Sequence, residues 1–238
     1  MSRTYSEYKG VALVTGASSG IGWKTVVRLL REGYYVFAHQ RKAVPPRDLD
    51  ELPISDRESL TFLSCDLDDT DSVMEWIQKD LREIPIQILI NNAGKASKID
   101  FENISAFEWE SVFRVNVIAP FLLSQWAFQS MKARRSGGIL VHVSSMASIP
   151  NAEKFHGFTA YTASKYALAG LSENIASEGR GLGIYSVCIS PGAVRTKMME
   201  QMVPEAASWM EPEEVAVFIA SLVRDFPALC NGTNIILK

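Results

Sequence analysis

Apolar residues in this chain fall into short blocks, and between most pairs of blocks the pattern changes to one apolar position every three or four residues. The runs at 11–15, 34–39, 60–65, 87–90, 139–143, 184–189 and 233–237 are rich in Val, Ile and Leu and predict seven strands. Helical spacing predicts helices over 21–31, stopped by Gly33, and over 70–83, halted before Pro85. Ser105 with Glu108 forms a capping box that opens a third helix, and a fourth runs from about 117 to 134. A long helix follows over 160–178, and Pro212 with Glu213 and Glu214 starts the last. Strands this apolar, separated by helices, describe an α/β fold whose parallel sheet is covered on both faces. The Pro-containing stretch 41–57 reads as a surface connection with room for one helical turn. Without repeats or a linker, residues 1–238 are expected to form one domain.

Composition narrows the class. Apolar residues make up 47% of the 238 and charged residues 21%, as in ordinary globular proteins. A net charge of −3 gives no reason to expect nucleic acid or an anionic membrane as a partner. No run approaches the roughly 18 apolar residues of a membrane span, and residues 1–9 lack the apolar core of a signal peptide, so a cytoplasmic location is expected. Cys65, Cys188 and Cys230 are too far apart to suggest a disulfide framework or a zinc site, and no metal is expected.

Two local patterns carry chemistry. Thr15-Gly16-Ala17-Ser18-Ser19-Gly20-Ile21-Gly22 lies between the first strand and the first helix. Glycines there permit a tight turn and close approach of backbone to a pyrophosphate, and the helix N-terminus beyond offers free N–H groups to an anion. The spacing G-x3-G-x-G differs from the commoner G-x-G-x-x-G, and a purely structural glycine turn is the alternative. Tyr161 and Lys165, four residues apart on a helix, share one face. An ammonium close to a phenol would pull its pKa from near 10 toward neutrality, whereas a solvated Lys beside a half-buried Tyr would do nothing.

Thr15–Gly22, Asn91-Asn92-Ala93-Gly94, Asn116, Ser145, Tyr161-x-x-x-Lys165 and Pro191-Gly192 stand in one order. In that order the chain resembles the short-chain dehydrogenase/reductase family, from about residue 9 to 196 and more weakly beyond. The resemblance implies a Rossmann-type doubly wound sheet of seven parallel strands, order 3-2-1-4-5-6-7, and a nicotinamide cofactor. Matched by position, Gly16, Ser18, Ser19, Gly20, Ile21 and Gly22 would cradle the pyrophosphate, and Asp66 and Leu67 would border the adenine. Asn92, Ala93 and Gly94 would line the trough, with Asn92 alternatively serving to stabilise the sheet centre. Pro191, Gly192, Val194 and Thr196 would flank the nicotinamide. Tyr161 would be the general acid/base and Lys165 would lower its pKa and hold the ribose. Ser145 would stabilise the substrate oxygen, with Ser144 as the neighbouring candidate, and Asn116 would hold a relay water.

The second strand would end at Gln40, where NAD-dependent relatives place a carboxylate on the ribose hydroxyls. Gln40 is neutral and Arg41 and Lys42 follow, so NADP(H) is expected over NAD, with Gln40 and Arg41 as contacts. Ser19, at a position often basic in NADP-dependent relatives, argues the other way. Ser145 and Tyr161 are further apart than in many relatives, and the extra residues, at 149–159, are expected to border the substrate pocket. That stretch holds His156, for which a surface position without function is the alternative. His142 reads as a satisfied core residue. Residues 196–211 would form a lid whose Met content suits a carbonyl or alcohol compound with an apolar body, although the Met residues could equally pack under a short helix. The resemblance implies a homodimer or homotetramer through the helices bearing Asn116 and Tyr161, with Phe121, Trp126 and Phe128 bulky enough for an interface. An NADP-dependent carbonyl reductase is the leading reading, and a catalytically silent NADP-binding regulator or scaffold the alternative.

Overall fold

The computed structural model describes residues 4–42, 44, 46, 49, 50, 52–203, 209–225 and 227–238. Strand β1 (Val11–Val14) leads through the glycine turn into α1 (Gly20–Arg31), followed by β2 (Tyr35–Gln40), the single turn α2 (Ile54–Arg57) and β3 (Leu60–Ser64). Then come α3 (Thr70–Trp76), β4 (Ile88–Asn91), α4 (Ala106–Phe113), α5 (Ala119–Arg134) and β5 (Gly138–Val143). The chain closes with α6 (Thr159–Glu178), β6 (Ile184–Pro191), α7 (Lys197–Met202), α8 (Pro212–Asp225) and β7 (Asn234–Leu237).

The seven strands are all parallel and lie in the order β3-β2-β1-β4-β5-β6-β7. Leu13 of β1 stands beside Phe37 of β2 on one side and Leu89 of β4 on the other. Because successive side chains alternate between faces, Val14, Val36 and Ile90 pack against α1 and α8, while Leu13, Leu89 and Leu140 pack against α3 and α5. The four residues of β1 are all buried, as a strand covered on both faces requires. The crossovers leave β1 in one direction and β4 in the other, so the loops beyond these two strands diverge and open a cleft at the carboxyl ends.

Two helical stretches differ in detail from the periodicity. The 70–83 segment is α-helical only to Trp76 and continues as a π-helical turn, Ile77–Leu81. The two helices expected over 105–134 are joined without a break by a second π-turn, Arg114–Ile118. A π-turn adds one residue to the circuit and leaves the spacing of apolar positions ambiguous. Ser105 does cap α4, accepting from the Glu108 N–H at 3.1 Å. Thr196 caps α7, a helix inside the proposed lid, and the lid's residues 204–208 lie outside the described residues.

Leu89 is fully buried at the centre of the sheet. Leu89→Ala is expected to lower stability by about 2–5 kcal/mol, seen as a reduced midpoint in urea denaturation with unchanged slope.

Candidate active site

A cleft of about 550 Å³ runs across the carboxyl ends of the strands. At one end Gly16, Ser18, Ser19, Gly20 and Ile21 form its wall. Gly16 has φ +66°, and a Cβ there would lie 2.8 Å from the Ala93 Cα, so the close approach of this turn to the β4 loop requires glycine. The Ser19 side chain does not cap α1, which leaves the first N–H groups of this twelve-residue helix facing the cleft. Gly22 is not part of the wall. A Cβ on it would meet the Gly16 carbonyl oxygen at 2.4 Å, and its role is to let the helix pack on the turn.

At the ends of β2 and β3, Arg41, Asp66 and Leu67 line the cleft, together with His39, Cys65 and Asp68. Gln40, read from the sequence as a cofactor contact, is instead buried inside the sheet and absent from the wall, and its side-chain oxygen has no partner. Alternation along β2 accounts for this, since His39 and Arg41 share the side that Gln40 does not. His39 had no motif to mark it, and its place became evident only when β2 lay beside β1 and β3.

The β4 loop brings Asn92, Ala93 and Gly94 to the cleft. The Asn92 amide donates to the Thr15 and Gly16 carbonyls at 2.8 and 3.2 Å, so the side chain serves the sheet centre. Asn116 sits fully buried in the π-turn and grips the backbone of Lys95 at two points, accepting from its N–H at 2.7 Å and donating to its carbonyl at 2.8 Å. Its amide also donates to the Ser164 hydroxyl at 2.9 Å. Lys95 in turn pairs with Asp68, whose carboxylate also receives Arg114 at 2.8 Å and the Ser111 hydroxyl. Those donors hold the Asp68 carboxyl below the usual range against the opposing effect of burial.

At the other end Ser144, Ser145, Tyr161 and Lys165 converge with Pro191, Gly192, Val194 and Thr196. Both serines border the cleft, whereas alternation along an extended strand would admit one, because the strand ends at Val143. The Ser144 hydroxyl is spent on the Lys165 carbonyl at 3.1 Å. The Ser145 hydroxyl accepts from the Ala147 N–H at 3.1 Å, and its own proton is available to the Tyr161 phenol beside it. Lys165 is buried, donates to the Val143 carbonyl at 2.8 Å, and lies 5.5 Å from the centre of the Tyr161 ring. Its ammonium and the Asn116 amide oxygen both flank Gly94, each 3.6 Å from where a Cβ would stand.

Other expectations land elsewhere. None of residues 149–159 is among the cleft-lining residues, so this loop does not border the pocket directly. It braces the β4 loop instead: the Ile99 N–H donates to the Gly157 carbonyl at 2.9 Å, and exposed His156 stands 3.5 Å from Asp100. Trp126 is buried within the chain, while Phe121 is exposed. His142 is half satisfied, with Nδ1 facing the Asn91 amide at 3.3 Å and Nε2 without a partner. Lys197, Met198 and Met199 of α7 also line the cleft.

Residues 10–207 match the family model described as short chain dehydrogenase. The chain belongs to the short chain dehydrogenase family. It is 32% identical over 214 residues to a farnesol dehydrogenase of Aedes aegypti, covering 87% of this chain and 86% of that one. It is 30% identical over 238 residues to a 3-oxoacyl-acyl-carrier-protein reductase of Thermotoga maritima, covering 93% of each. Among solved structures it superposes with TM-score 0.82 on 4-hydroxyisoleucine dehydrogenase complexed with NADH and succinate, at 26% identity, covering 95% of this chain and 97% of that one. It also matches, with TM-score 0.85 and 26% identity over 96% and 95% of the two chains, a Beutenbergia cavernae protein provisionally assigned as an NAD(P)-dependent gluconate 5-dehydrogenase and solved with bound NADP. This short chain dehydrogenase is therefore an oxidoreductase of the NAD(P)-dependent kind, and the glycine turn, open helix N-terminus and cleft volume fit a dinucleotide.

Charge states in this dehydrogenase follow burial. Burial lowers the Lys165 ammonium to about 8. Burial also raises the Tyr161 phenol, with Ser145 drawing it back. The Lys165 ammonium is bonded to the Val143 carbonyl while standing beside the Tyr161 ring. Burial lowers His39 to about 4 and His142 to about 3, and raises the Cys65 and Cys188 thiols to about 11. Both histidines are neutral in the folded chain, while an unfolded chain binds a proton at each below about 6.5. Their contribution to stability is thus complete above pH 6.5 and is lost as pH falls toward 4 and 3. Melting temperature is expected to fall steadily from pH 6.5 to 4, and His142→Asn, which keeps an acceptor near the Nδ1 position, to flatten the slope.

Proposed function

We propose that this chain transfers a hydride between NADP(H) and a carbonyl or alcohol substrate, working in the reductive direction, with Tyr161 as general acid/base. The observation that carries the reading is one continuous cleft, walled by Gly16–Ile21 at one end and by Ser145, Tyr161 and Lys165 at the other. When bound, the nicotinamide supplies or accepts the hydride. Tyr161 gives its phenolic proton to the carbonyl oxygen as that oxygen gains charge. The Ser145 hydroxyl, beside the phenol, donates to the same oxygen and stabilises it. Lys165, close to the phenol ring, would favour the phenolate that remains and hold the ribose hydroxyls of the bound nucleotide. Asn116 holds the Lys95 backbone, and with it the β4 loop beneath this end of the cleft.

Arg41 on the cleft wall, with no carboxylate at the end of β2, supports NADP(H) over NAD(H), since a guanidinium fork suits a 2′-phosphate. Met198 and Met199 give the substrate side an adaptable apolar cover, and the lid reading of 196–211 rests on them. An apolar-bodied substrate agrees with relatives named for farnesol and for 3-oxoacyl groups. Exposed Ile118, Phe121 and Tyr166 on the segments around Asn116 and Tyr161 support a homodimer or homotetramer. The chain's whole length serves one nucleotide-binding and catalytic domain acting in the cytoplasm.

Oxidation of NADPH and NADH against a panel of aldehydes, ketones and β-keto esters tests the reading. NADPH is expected to be preferred, Tyr161→Phe to retain less than about a hundredth of turnover, and Arg41→Ala to lose about tenfold in NADPH affinity with little change for NADH. Nucleotide binding without consumption across the panel would favour the silent regulator.

A further inference from the structure

His39 lines the cleft, and neither the glycine turn nor the Tyr161 cluster explains its role. It stands next to last in β2, opposite Leu63 of β3, and its ring is 2% exposed. Its Nδ1 receives the Gly16 N–H at 3.4 Å, and its Nε2 meets the Cys65 carbonyl at 3.0 Å. A backbone N–H only donates and a carbonyl only accepts, so the ring must be neutral and carry its proton on Nε2. The Trp76 ring, 4.9 Å away and tilted by 41°, holds the imidazole in plane with this task. His39 also offers its carbonyl to the Ala17 N–H at 2.8 Å. Among the described residues, no other side-chain hydrogen bond joins the glycine turn to the segment that follows β3.

We propose that His39 is a positioning residue for the adenosine half of the nucleotide, its imidazole acting as a spacer between the phosphate turn and the adenine wall. The proposal rests on the nucleotide-binding reading of the cleft. The ring reaches from Gly16, the first residue of the phosphate turn, to Cys65, the residue before Asp66 and Leu67. One rigid five-membered ring, bonded at both ends, sets the separation of these two walls. A nucleotide bridging from pyrophosphate to adenine must fit that separation, so the ring prepays an ordering cost that binding would otherwise carry. Gly16 donates to the ring, which directs its N–H away from the phosphate and leaves the anion to the N–H groups of the α1 N-terminus.

The two bonds can be separated by substitution. Asn at this position places an amide oxygen near Nδ1 and keeps the bond from Gly16; Gln places an amide N–H near Nε2 and keeps the bond to Cys65. The test is fluorescence titration of His39→Asn, His39→Gln and His39→Ala with NADPH and NADH, beside melting temperature without nucleotide and kcat at saturating NADPH. His39→Ala, His39→Gln and His39→Asn, each of which breaks at least one of the two bonds, are expected to weaken NADPH and NADH binding about tenfold. The kcat at saturation should change less than about threefold in all. Equal affinity in all four proteins would overturn the proposal, as would melting temperatures that fall while affinities hold, which would leave the ring a structural role only. Wild-type affinity in either amide variant would also overturn it, since each keeps only one of the two bonds. Should the wild-type protein bind neither nucleotide, the functional reading itself would fail, which is distinct from these outcomes. The two amide variants stay close to the size of the imidazole and carry the test if the Ala variant does not fold.

Discussion

The floor of the cleft depends on the knot between Thr15 and Asn92. The Thr15 hydroxyl donates to the Ile90 carbonyl at 3.3 Å and receives the N–H groups of Asn92 and Ala93, both at 3.0 Å. The Asn92 amide returns two bonds to the Thr15 and Gly16 carbonyls. Strands β1 and β4 are neighbours whose loops must part in opposite directions, and at that parting the backbone ladder thins to the Thr15 N–H on the Ile90 carbonyl at 3.0 Å. Five side-chain bonds supply what the ladder cannot. They hold the glycine turn close against the β4 loop, and the remaining geometry follows from that approach, including the absence of any side chain on Gly16.

Around this floor the cleft is divided by the environment of its charges. The nucleotide end is open, with helix N–H groups, Arg41 and Asp66 reaching solvent. The Tyr161 end is closed, and there burial raises the phenol and lowers the ammonium of Lys165 to about 8. Phenol and ammonium ordinarily lose their protons at similar pH, and burial drives the two apart by favouring the neutral form of each. The π-turn at Arg114–Ile118 connects the two ends. It carries Val115 on the cleft wall, Asn116 under the β4 loop and Arg114 on the Asp68 carboxylate within five residues. An uninterrupted α-helix would rotate these three side chains by a different angle.

Much of this was legible in the sequence. Strand order followed from the family resemblance, and the element boundaries from apolar runs that a doubly covered sheet makes unusually clean. Tyr161, Lys165 and the glycine turn were marked by spacing, because each acts through neighbours at fixed intervals in the chain, whereas Ser145 and Asn116 were marked only by the family resemblance. Gln40 was misplaced for the opposite reason. Its neutrality was visible, but which side of β2 turns to the cleft depends on how the strand seats between β1 and β3. The loop 149–159 was drawn to the pocket by its length, and the structure spends that length on bracing residues 98–100.

The sequence alone determined the alternation of strands and helices, the phosphate turn and the Tyr161–Lys165 pair, since these rest on periodicity and short-range spacing. Tertiary structure decided what no interval encodes: that His39 bridges two strands as a neutral ring, that Asn92 is consumed by the sheet, and that Lys165 turns to Val143. Those outcomes depend on burial and on partners dozens of residues away in the chain. Protonation and hydrogen bonding answer to the surroundings of a side chain, and only the folded sheet supplies them.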